Sequence, residues 1–260
     1  MSASISPLFA LSSQGGGSTP VLQTKNILLN ANGTVSVTPD SGYDGLEQVN
    51  VTVSTRFKPV GGIIFYIDST STKTYKFYDS NYNEISNVAV GDTPAFYEEI
   101  SDGNGKEKYY VYHNELFSGQ YFAPKWGSKG DDTLATGTSI GTGKTNTETI
   151  LAFYQGTYKL TDNQYLWYYV VNARTNLLAG CNDWYIGTKD EFLELKSFQI
   201  AKYGEGDDNE WFTYRTPYKT IWSSCDFHDY PDYAREWSQS SQWNSSYKTN
   251  SGYFFFMRSF

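Results

Sequence analysis

Residues 61–68 read GGIIFYID, and residues 253–260 read YFFFMRSF. These two stretches are the strongest strand signals in the chain, because each is a continuous run of branched and aromatic side chains of strand length. Strands this apolar cannot lie at the open edge of a sheet without promoting aggregation. The sequence therefore predicts that the strand around residues 63–67 pairs antiparallel with the strand around residues 254–258, closing one domain.

Two segments between these strands carry the helix start signal S/T-x-x-E, in which a hydroxyl and a carboxylate each accept a hydrogen bond from an unpaired backbone amide. The first is TNTE at residues 145–148, with Gly156 as an end signal. The second is TKDE at residues 188–191, and an apolar stripe follows it: Phe192, Leu195 and Phe198. Residues 73–135 alternate aromatic and turn residues, which favours short strands and long loops. Two helices among many strands predict an α+β domain.

The composition indicates a folded, acidic chain. It holds 7 Trp, 23 Tyr and 16 Phe, and only 18% of its residues are charged, whereas disordered chains are poor in aromatic residues. The formal net charge of −8 argues against a protein that follows nucleic-acid phosphates. The longest apolar runs, such as residues 166–171, are strand-sized and too short for membrane insertion. No lysine or arginine precedes Lys25, so we expect no secretory signal peptide.

Composition shifts along the chain predict three parts. Residues 1–22 are small, polar and rich in serine and glycine, which predicts a flexible leader or docking tail. Residues 23–57 alternate like strands around an Asn32-Gly33 hairpin dipeptide, and predict a small β unit for attachment or oligomerisation. Residues 58–260, where the aromatic residues are dense, predict the main ligand-binding domain.

Four segments in order resemble a bacterial and phage group with the C-type lectin fold, related to the variable proteins of diversity-generating retroelements. They are VGGIIFYID at 60–68, IGTGKTNTETIL at 140–151, DWYIGTKDEFLEL at 183–195, and the segment from IWSSCDF to GYFFFMRSF at 221–260. The resemblance implies an α+β C-type lectin fold with short helices, small antiparallel sheets, long loops and paired N- and C-terminal strands. Residues 36–54 separately resemble a short β unit of phage tail and appendage proteins.

The resemblance implies a phage virion receptor-binding protein that attaches to the host. It would lie at the tip of a tail or appendage, and would be made in the bacterial cytoplasm without a signal peptide. Its partners would be a bacterial surface protein or glycan, other tail or appendage proteins, and copies of itself, with a trimer as the preferred homo-oligomer. Two alternatives stay open: a bacterial surface adhesin of the same fold, and a purely structural appendage subunit.

In retroelement target proteins, adenine-directed mutagenesis diversifies the segment before the terminal strand, and these variable positions form the ligand-binding face. Carried over to this chain, the residues that such mutagenesis can reach are Cys225, Phe227, His228, Asp229, Tyr230, Asp232, Tyr233, Arg235, Ser240, Ser241, Ser245, Ser246 and Tyr247. The same segment holds residues that the mechanism does not reach, which we expect in the framework: Glu236, Trp237, Gln239, Gln242, Trp243 and Lys248.

Three segments of the sequence could instead bind phosphate or a metal ion. Residues 141–145, GTGKT, lack the first glycine of a phosphate-binding P-loop, so a helix-entry loop is favoured. His228 lies among Cys225 and three aspartates, Asp226, Asp229 and Asp232, which could ligate a metal, but a surface loop that serves recognition is favoured. The acidic segment at 205–210 could hold calcium or be a solvated loop.

An enzyme is the remaining alternative, because formylglycine-generating enzymes share this broad fold. Their reactive cysteines have a specific local sequence, which neither Cys181 nor Cys225 matches. Asn182-Asp183-Trp184 differs in order from the calcium motif of animal C-type lectins, so Asp183 is expected to hold the turn into a buried Trp184. We therefore predict no enzyme activity, no cofactor and no metal site.

Overall fold

The computed structural model describes the following stretches: residues 57–69, 73–100, 107–113, 123–203, 221–237 and 243–260, together with the backbone of four two-residue strands nearer the N-terminus. The chain divides into two units, Met1–Lys58 and Pro59–Phe260. The roles predicted for the parts of the chain stay predictions. No helix within the described stretches is long and apolar enough to cross a bilayer.

In the first unit, the described backbone forms two short antiparallel pairs. Strand β1 (Ser2–Ala3) pairs with β3 (Ile27–Leu28), and β2 (Phe9–Ala10) pairs with β4 (Gln48–Val49). The segment predicted as a flexible leader therefore contributes strands to the β unit, which the sequence prediction did not include. The hairpin predicted at Asn32-Gly33 lies outside the described residues.

The described part of the second unit is mixed α+β, with short helices and small antiparallel sheets, which confirms the general fold class. Its elements, after β5 (Lys58–Pro59) at the boundary, are β6 (Ile63–Asp68), β7 (Thr74–Tyr78), β8 (Glu84–Ile85), β9 (Phe96–Ile100), β10 (Lys108–Tyr112), α1 (Gly143–Phe153), α2 (Leu166–Thr175), β11 (Tyr185–Ile186), α3 (Lys189–Tyr203), β12 (Ile221–Asp226), β13 (Tyr233–Trp237), β14 (Trp243–Tyr247) and β15 (Phe256–Ser259). Short 3-10 helices at Tyr158–Leu160 and Leu178–Gly180 precede α2 and β11.

The central sheet has the strand order β11-β15-β10-β6. Strand β10 lies between the two strands that the sequence analysis paired, and it is antiparallel to both. The predicted pairing of the N- and C-terminal strands is therefore wrong. The physical reason is that four of the five residues of β10 are buried, so this strand needs a hydrogen-bonded neighbour on each side. Strands β9, β7 and β8 form a second antiparallel array.

A buried arginine links the start of the second unit to its last strand. Arg258, on β15, is 4% exposed, and its Nη1 donates to the carbonyls of Val60, at 3.0 Å, and of Pro59. Its Nη2 donates to Asp183 Oδ2 at 3.1 Å, and its Nε lies 2.9 Å from Asp183 Oδ1. Asp183 thus holds the turn into Trp184, which is fully buried as predicted.

Helix α3 begins as the sequence predicts. The amide of Thr188 donates to Glu191 Oε2 at 2.8 Å, and the amide of Glu191 donates to Thr188 Oγ1 at 3.4 Å, which completes the reciprocal capping box. The predicted apolar stripe on this helix is buried: Phe192, Leu195 and Phe198.

Helix α1 begins earlier than predicted, with Thr142 as its N-cap residue, so the TNTE segment lies inside the helix. Thr147 is fully buried there, and its hydroxyl accepts a hydrogen bond from the Ile186 amide at 3.1 Å, which fixes α1 against β11. The amide of Gly141 donates to the Glu191 carboxylate at 3.1 Å, so this amide is already occupied. The segment is a helix-entry loop, as favoured.

Helix α2 was not predicted. The apolar run at residues 166–171 has the length of a strand, but it forms the first part of this helix. Leu166 and Val170 are both fully buried in the largest hydrophobic cluster. Their spacing of four residues places them on the same side of a helix, so burial of this face stabilises the helical form.

Thr188→Ala should lower the free energy of unfolding by about 1–2 kcal/mol, because the substitution removes the side-chain half of a buried capping box. Thr145→Ala is the matched control: Thr145 is exposed within α1, where alanine is the better helix former, so no loss is expected. Urea denaturation of both variants measures the difference. Equal losses would contradict the assignment of the cap.

Candidate ligand-binding face

The candidate site lies on the three-stranded antiparallel sheet β12-β13-β14. The register pairs Tyr233 with Tyr247 and Arg235 with Ser245, so these side chains share one side of the sheet. A short loop, residues 227–232, joins β12 to β13 and is closed by a hydrogen bond from the Phe227 amide to the Tyr233 carbonyl at 3.3 Å. The aromatic face is defined here as five residues: Phe227, Tyr230, Tyr233, Arg235 and Tyr247.

Four rings of the aromatic face follow one another in contact. Tyr233 and Tyr247 are stacked, with ring centroids 4.3 Å apart and an interplanar angle of 29°. Tyr230 meets Tyr233 edge-on at 6.4 Å, and Phe227 lies 5.2 Å from Tyr230. These are favourable aromatic geometries, so each ring restricts the rotamer of the next. The result is a continuous line of rings across the loop and two strands.

The face is open to solvent. Tyr230 is 58% exposed and Tyr247 is 39% exposed, while Phe227, Tyr233 and Arg235 are half-buried. Large aromatic residues that stay exposed in a cluster are typical of interaction surfaces rather than of a core. The structure therefore brings these five sequence-predicted residues together on one exposed surface.

The remaining predicted site residues lie around this surface. His228 and Asp229 are exposed in the loop, and Asp232 is half-buried beside them. Ser245 and Ser246 are half-buried on β14. The binding role of these residues stays a prediction. The loop residues and Ser245 form a polar border to the aromatic face, while Ser246, opposite Ala234, lies on the other side of the sheet.

Cys225 is a correction. It is fully buried, and its thiol donates to the Gly137 carbonyl at 3.1 Å, so it cannot contact a ligand on the surface. Burial raises the pKa of the Cys225 thiol to about 11, which also keeps it un-ionised at neutral pH. Two other predicted site residues, Ser240 and Ser241, lie outside the described stretches, as does the acidic segment at 205–210.

A buried ion pair supports the face from beneath. Lys248 Nζ lies 2.5 Å from Asp226 Oδ1, and neither side chain has any exposed surface. The other oxygen of Asp226 accepts hydrogen bonds from the Thr133 amide, at 2.7 Å, and hydroxyl, at 2.6 Å. Lys248 Nζ also donates to the Asp131 carbonyl and lies 4.8 Å from the centre of the Trp126 ring. The charges are therefore both paired and hydrogen-bonded.

This pair ties the 128–133 loop to the site sheet. The Gly130 amide donates to Asp232 Oδ1 at 2.9 Å, which adds a second link between the two loops. On the far side, Asp131 accepts a hydrogen bond from the Tyr154 hydroxyl at 2.7 Å and pairs with Lys159 at 3.2 Å. Bonds on both sides hold the loop in one position, so little ordering entropy is lost when a ligand binds beside it.

The alternative metal site would consist of His228, Cys225, Asp226, Asp229 and Asp232. The structure gives four of these side chains separate protein partners, with an ion pair for Asp226 and a backbone amide for Asp232. In the stretches that the structure describes, no group of three or more His, Cys, Asp or Glu side chains could hold a metal ion.

Sequence analysis missed three residues that shape the site. Lys129 lies over the Tyr247 ring at 4.8 Å, Asp132 pairs with His228, and Thr133 binds Asp226. All three lie in the 128–133 loop, close to a hundred residues before the residues that they contact. No local sequence pattern identifies them. The carboxylates of Asp131 and Asp132, adjacent in sequence, have different partners.

His228 should titrate with a raised pKa. Its Nδ1 lies 3.0 Å from Asp132 Oδ2, and this hydrogen bond together with the Asp132 charge raises the pKa of His228 above its ordinary value; Asp229 and Asp226 add to the effect. A raised folded-state pKa means that the pair stabilises the loop fully below the ordinary pKa of histidine, and that this contribution disappears as the pH rises through the folded-state pKa.

An NMR titration of the histidine rings measures this shift, and Asp132→Asn should return the pKa of His228 towards 6.5. His113 serves as the internal control, since it is the other histidine of the chain. If Asp132→Asn leaves the pKa of His228 unchanged, Asp132 is not the cause of the shift.

No protein-family model, curated protein or solved structure matches this chain. The functional proposal therefore rests on the geometry of the aromatic face and its support.

Proposed function

We propose that this protein is the receptor-binding protein of a phage virion, and that its aromatic face binds a ligand on the bacterial surface. In this proposal the second unit has the C-type lectin fold and projects from the tip of a tail or appendage. The first unit, Met1–Lys58, attaches it to other appendage proteins or to sister subunits.

The observation that carries the proposal is an exposed line of tyrosines on a rigid base. Tyrosine offers a large contact area for the loss of few rotamers, and surfaces that combine it with serine and asparagine adapt to many ligands. On β14, Ser245 lies opposite Arg235 on the same side of the sheet as Tyr247 and supplies such a polar neighbour. A structural subunit has no need of exposed rings on a surface that buried ion pairs hold in place.

The diversification proposed from the resemblance agrees with the burial pattern. Most described residues that adenine-directed mutagenesis reaches lie on or around the exposed face. Of the residues that it does not reach, Glu236, Trp237 and Lys248 are buried, while Trp243 is half-buried. A near-identical template repeat and a reverse-transcriptase gene in the neighbouring DNA would support this part of the proposal. Flanks that lack both would refute it.

Tyr230→Ala and Tyr247→Ala test the binding role directly. Each should weaken binding of the purified, fluorescently labelled protein to intact cells by about 10- to 100-fold, the range of a well-seated hot spot. Tyr230→Ala should change the free energy of unfolding by about 0.5 kcal/mol or less, because its ring is largely exposed. Tyr247→Ala should cost about 1 kcal/mol, because its ring stacks on Tyr233. Flow cytometry over a panel of bacterial strains, with thermal unfolding of each variant, provides the two readouts.

Tyr82→Ala is the matched control. Tyr82 is a partly exposed tyrosine whose ring stacks on that of Phe96, which belongs to a different sheet; the two ring centroids are 4.7 Å apart. It should leave cell binding unchanged. If Tyr230→Ala and Tyr247→Ala bind cells as the unmodified protein does, the aromatic face is not the binding site. If the unmodified protein binds no strain, the receptor-binding role itself is refuted.

A further inference from the structure

The aromatic face includes a cation, Arg235, for which the described stretches of the chain contain no acidic partner. The guanidinium of Arg235 lies 3.9 Å above the Phe227 ring, which fixes its plane. Within the described stretches of the chain, no carboxylate or carbonyl accepts a hydrogen bond from it, and the residue opposite it in the register is Ser245. By contrast, Arg258 and Arg174 each have a carboxylate partner. Arg235 is half-buried, and its stacking on Phe227 orients its fork of N–H donors.

A second cation lies at the edge of the same face. Lys129 Nζ sits 4.8 Å from the centre of the Tyr247 ring, and the part of the chain that the structure describes offers it no carboxylate. Both cations occur in a chain whose formal net charge is −8. Asp132 is paired with His228 and Asp232 accepts a backbone amide, while Asp229 is exposed in the same loop. Arg235 and Lys129 thus supply two cationic groups at this face.

The aromatic residues limit the kind of anion that fits. Tyrosine rings pack against the apolar C–H faces of sugar rings, and their hydroxyls hydrogen-bond to sugar hydroxyls. The side chains that border the rings are polar, namely Ser245 opposite Arg235 and the loop residues His228 and Asp229, whereas the centre of a protein–protein interface is usually apolar. An arginine fork matches the paired oxygens of a carboxylate or phosphate.

We propose, on the basis of the function proposed above, that the surface ligand is an anionic glycan whose carboxylate or phosphate binds Arg235, with Lys129 as a second cationic contact. The sugar rings lie along Tyr230, Tyr233 and Tyr247. Stacking on Phe227 holds the guanidinium in position before the ligand arrives, so the arginine needs little reorganisation on binding.

The test compares bacterial acidic polysaccharides on an array with their own neutral forms. Uronic-acid polymers are carboxyl-reduced, and phosphate-bearing polymers are dephosphorylated, so the two arms distinguish the source of the anion. Loss of the charge should weaken binding by about 10- to 100-fold, as expected for hydrogen bonds to a charged group, and added salt should weaken binding of the charged form. Arg235→Gln should cause a similar loss on the charged polymer and little further loss on its neutral form.

Lys144→Gln is the control variant, because Lys144 is exposed on α1, outside the face. Arg235→Lys keeps the charge without the fork and should retain part of the affinity, and thermal unfolding checks that each variant is folded. Neutral polymers that bind as well as charged ones, or an array without any bound polymer, would overturn the proposal. If Arg235→Gln binds cells normally while Tyr230→Ala does not, the anionic-glycan inference fails and the proposed binding face stands.

Discussion

Lys248→Met is expected to lower the free energy of unfolding by about 3–5 kcal/mol, the largest loss among the substitutions considered. The substitution leaves the Asp226 carboxylate with no counter-charge in a place where it has no exposed surface. The Thr133 hydrogen bonds remain but cannot replace a positive charge 2.5 Å away. Because this pair lies beneath the aromatic face, cell binding should fall together with stability. Urea denaturation measures the loss.

Two further variants distinguish the effect of breaking the ion pair from the effect of losing a lysine side chain. Lys144→Met removes an exposed lysine and should change stability by about 0.5 kcal/mol or less. The double variant Asp226→Asn, Lys248→Met removes both charges, so its loss should be smaller than the sum of the two single losses. A loss below about 1 kcal/mol for Lys248→Met would show that the pair does not stabilise the fold.

Arg258→Met should cost about 3–4 kcal/mol, because it leaves the carbonyls of Pro59 and Val60 and the Asp183 carboxylate without their donor. The loss is expected to be smaller than for Lys248→Met, since the Asp183 side chain is 26% exposed and water can reach it. Chemical denaturation again provides the measurement.

The control for Arg258 is an ion pair at the surface. Lys76 pairs with Glu84 at 3.0 Å, and both side chains are well exposed, so Lys76→Met should leave stability unchanged within error. If the two variants behave alike, the arginine link between Val60 and the last strand is not a significant source of stability.

Local features of the fold could be predicted from the sequence, and long-range pairing could not. The Thr188–Glu191 box and the apolar run of β6 depend on neighbours within a few residues, and both are confirmed. The place of β10 depends on which strands flank it, and its tyrosines gave no sign that they would be buried in the middle of a sheet. Hydrophobicity alone also failed at α2, because a six-residue apolar run suits a strand and a helix equally.

The candidate site shows the same limit. The tyrosines of the aromatic face and the buried framework residues Trp237 and Lys248 lie where the segment predicted them. Cys225 does not, because it packs against Gly137, far away in sequence. The contacts of Lys129 and Asp132 were equally unpredictable, since they depend on how a distant loop folds back over the sheet.

The position of β15 inside the central sheet has a consequence for when the second unit can fold. Strand β15 lies between β11 and β10, so the sheet stays split until residues 256–259 have left the ribosome. Arg258 reaches carbonyls 198 and 199 residues earlier in the chain, a sequence separation that slows folding. Until then, the edge of β10 that pairs with β15 would remain uncovered, and such uncovered apolar strand edges are where chaperones bind and aggregation begins. The central sheet of this unit is therefore expected to be completed only once residues 256–259 can pair with β10 and β11.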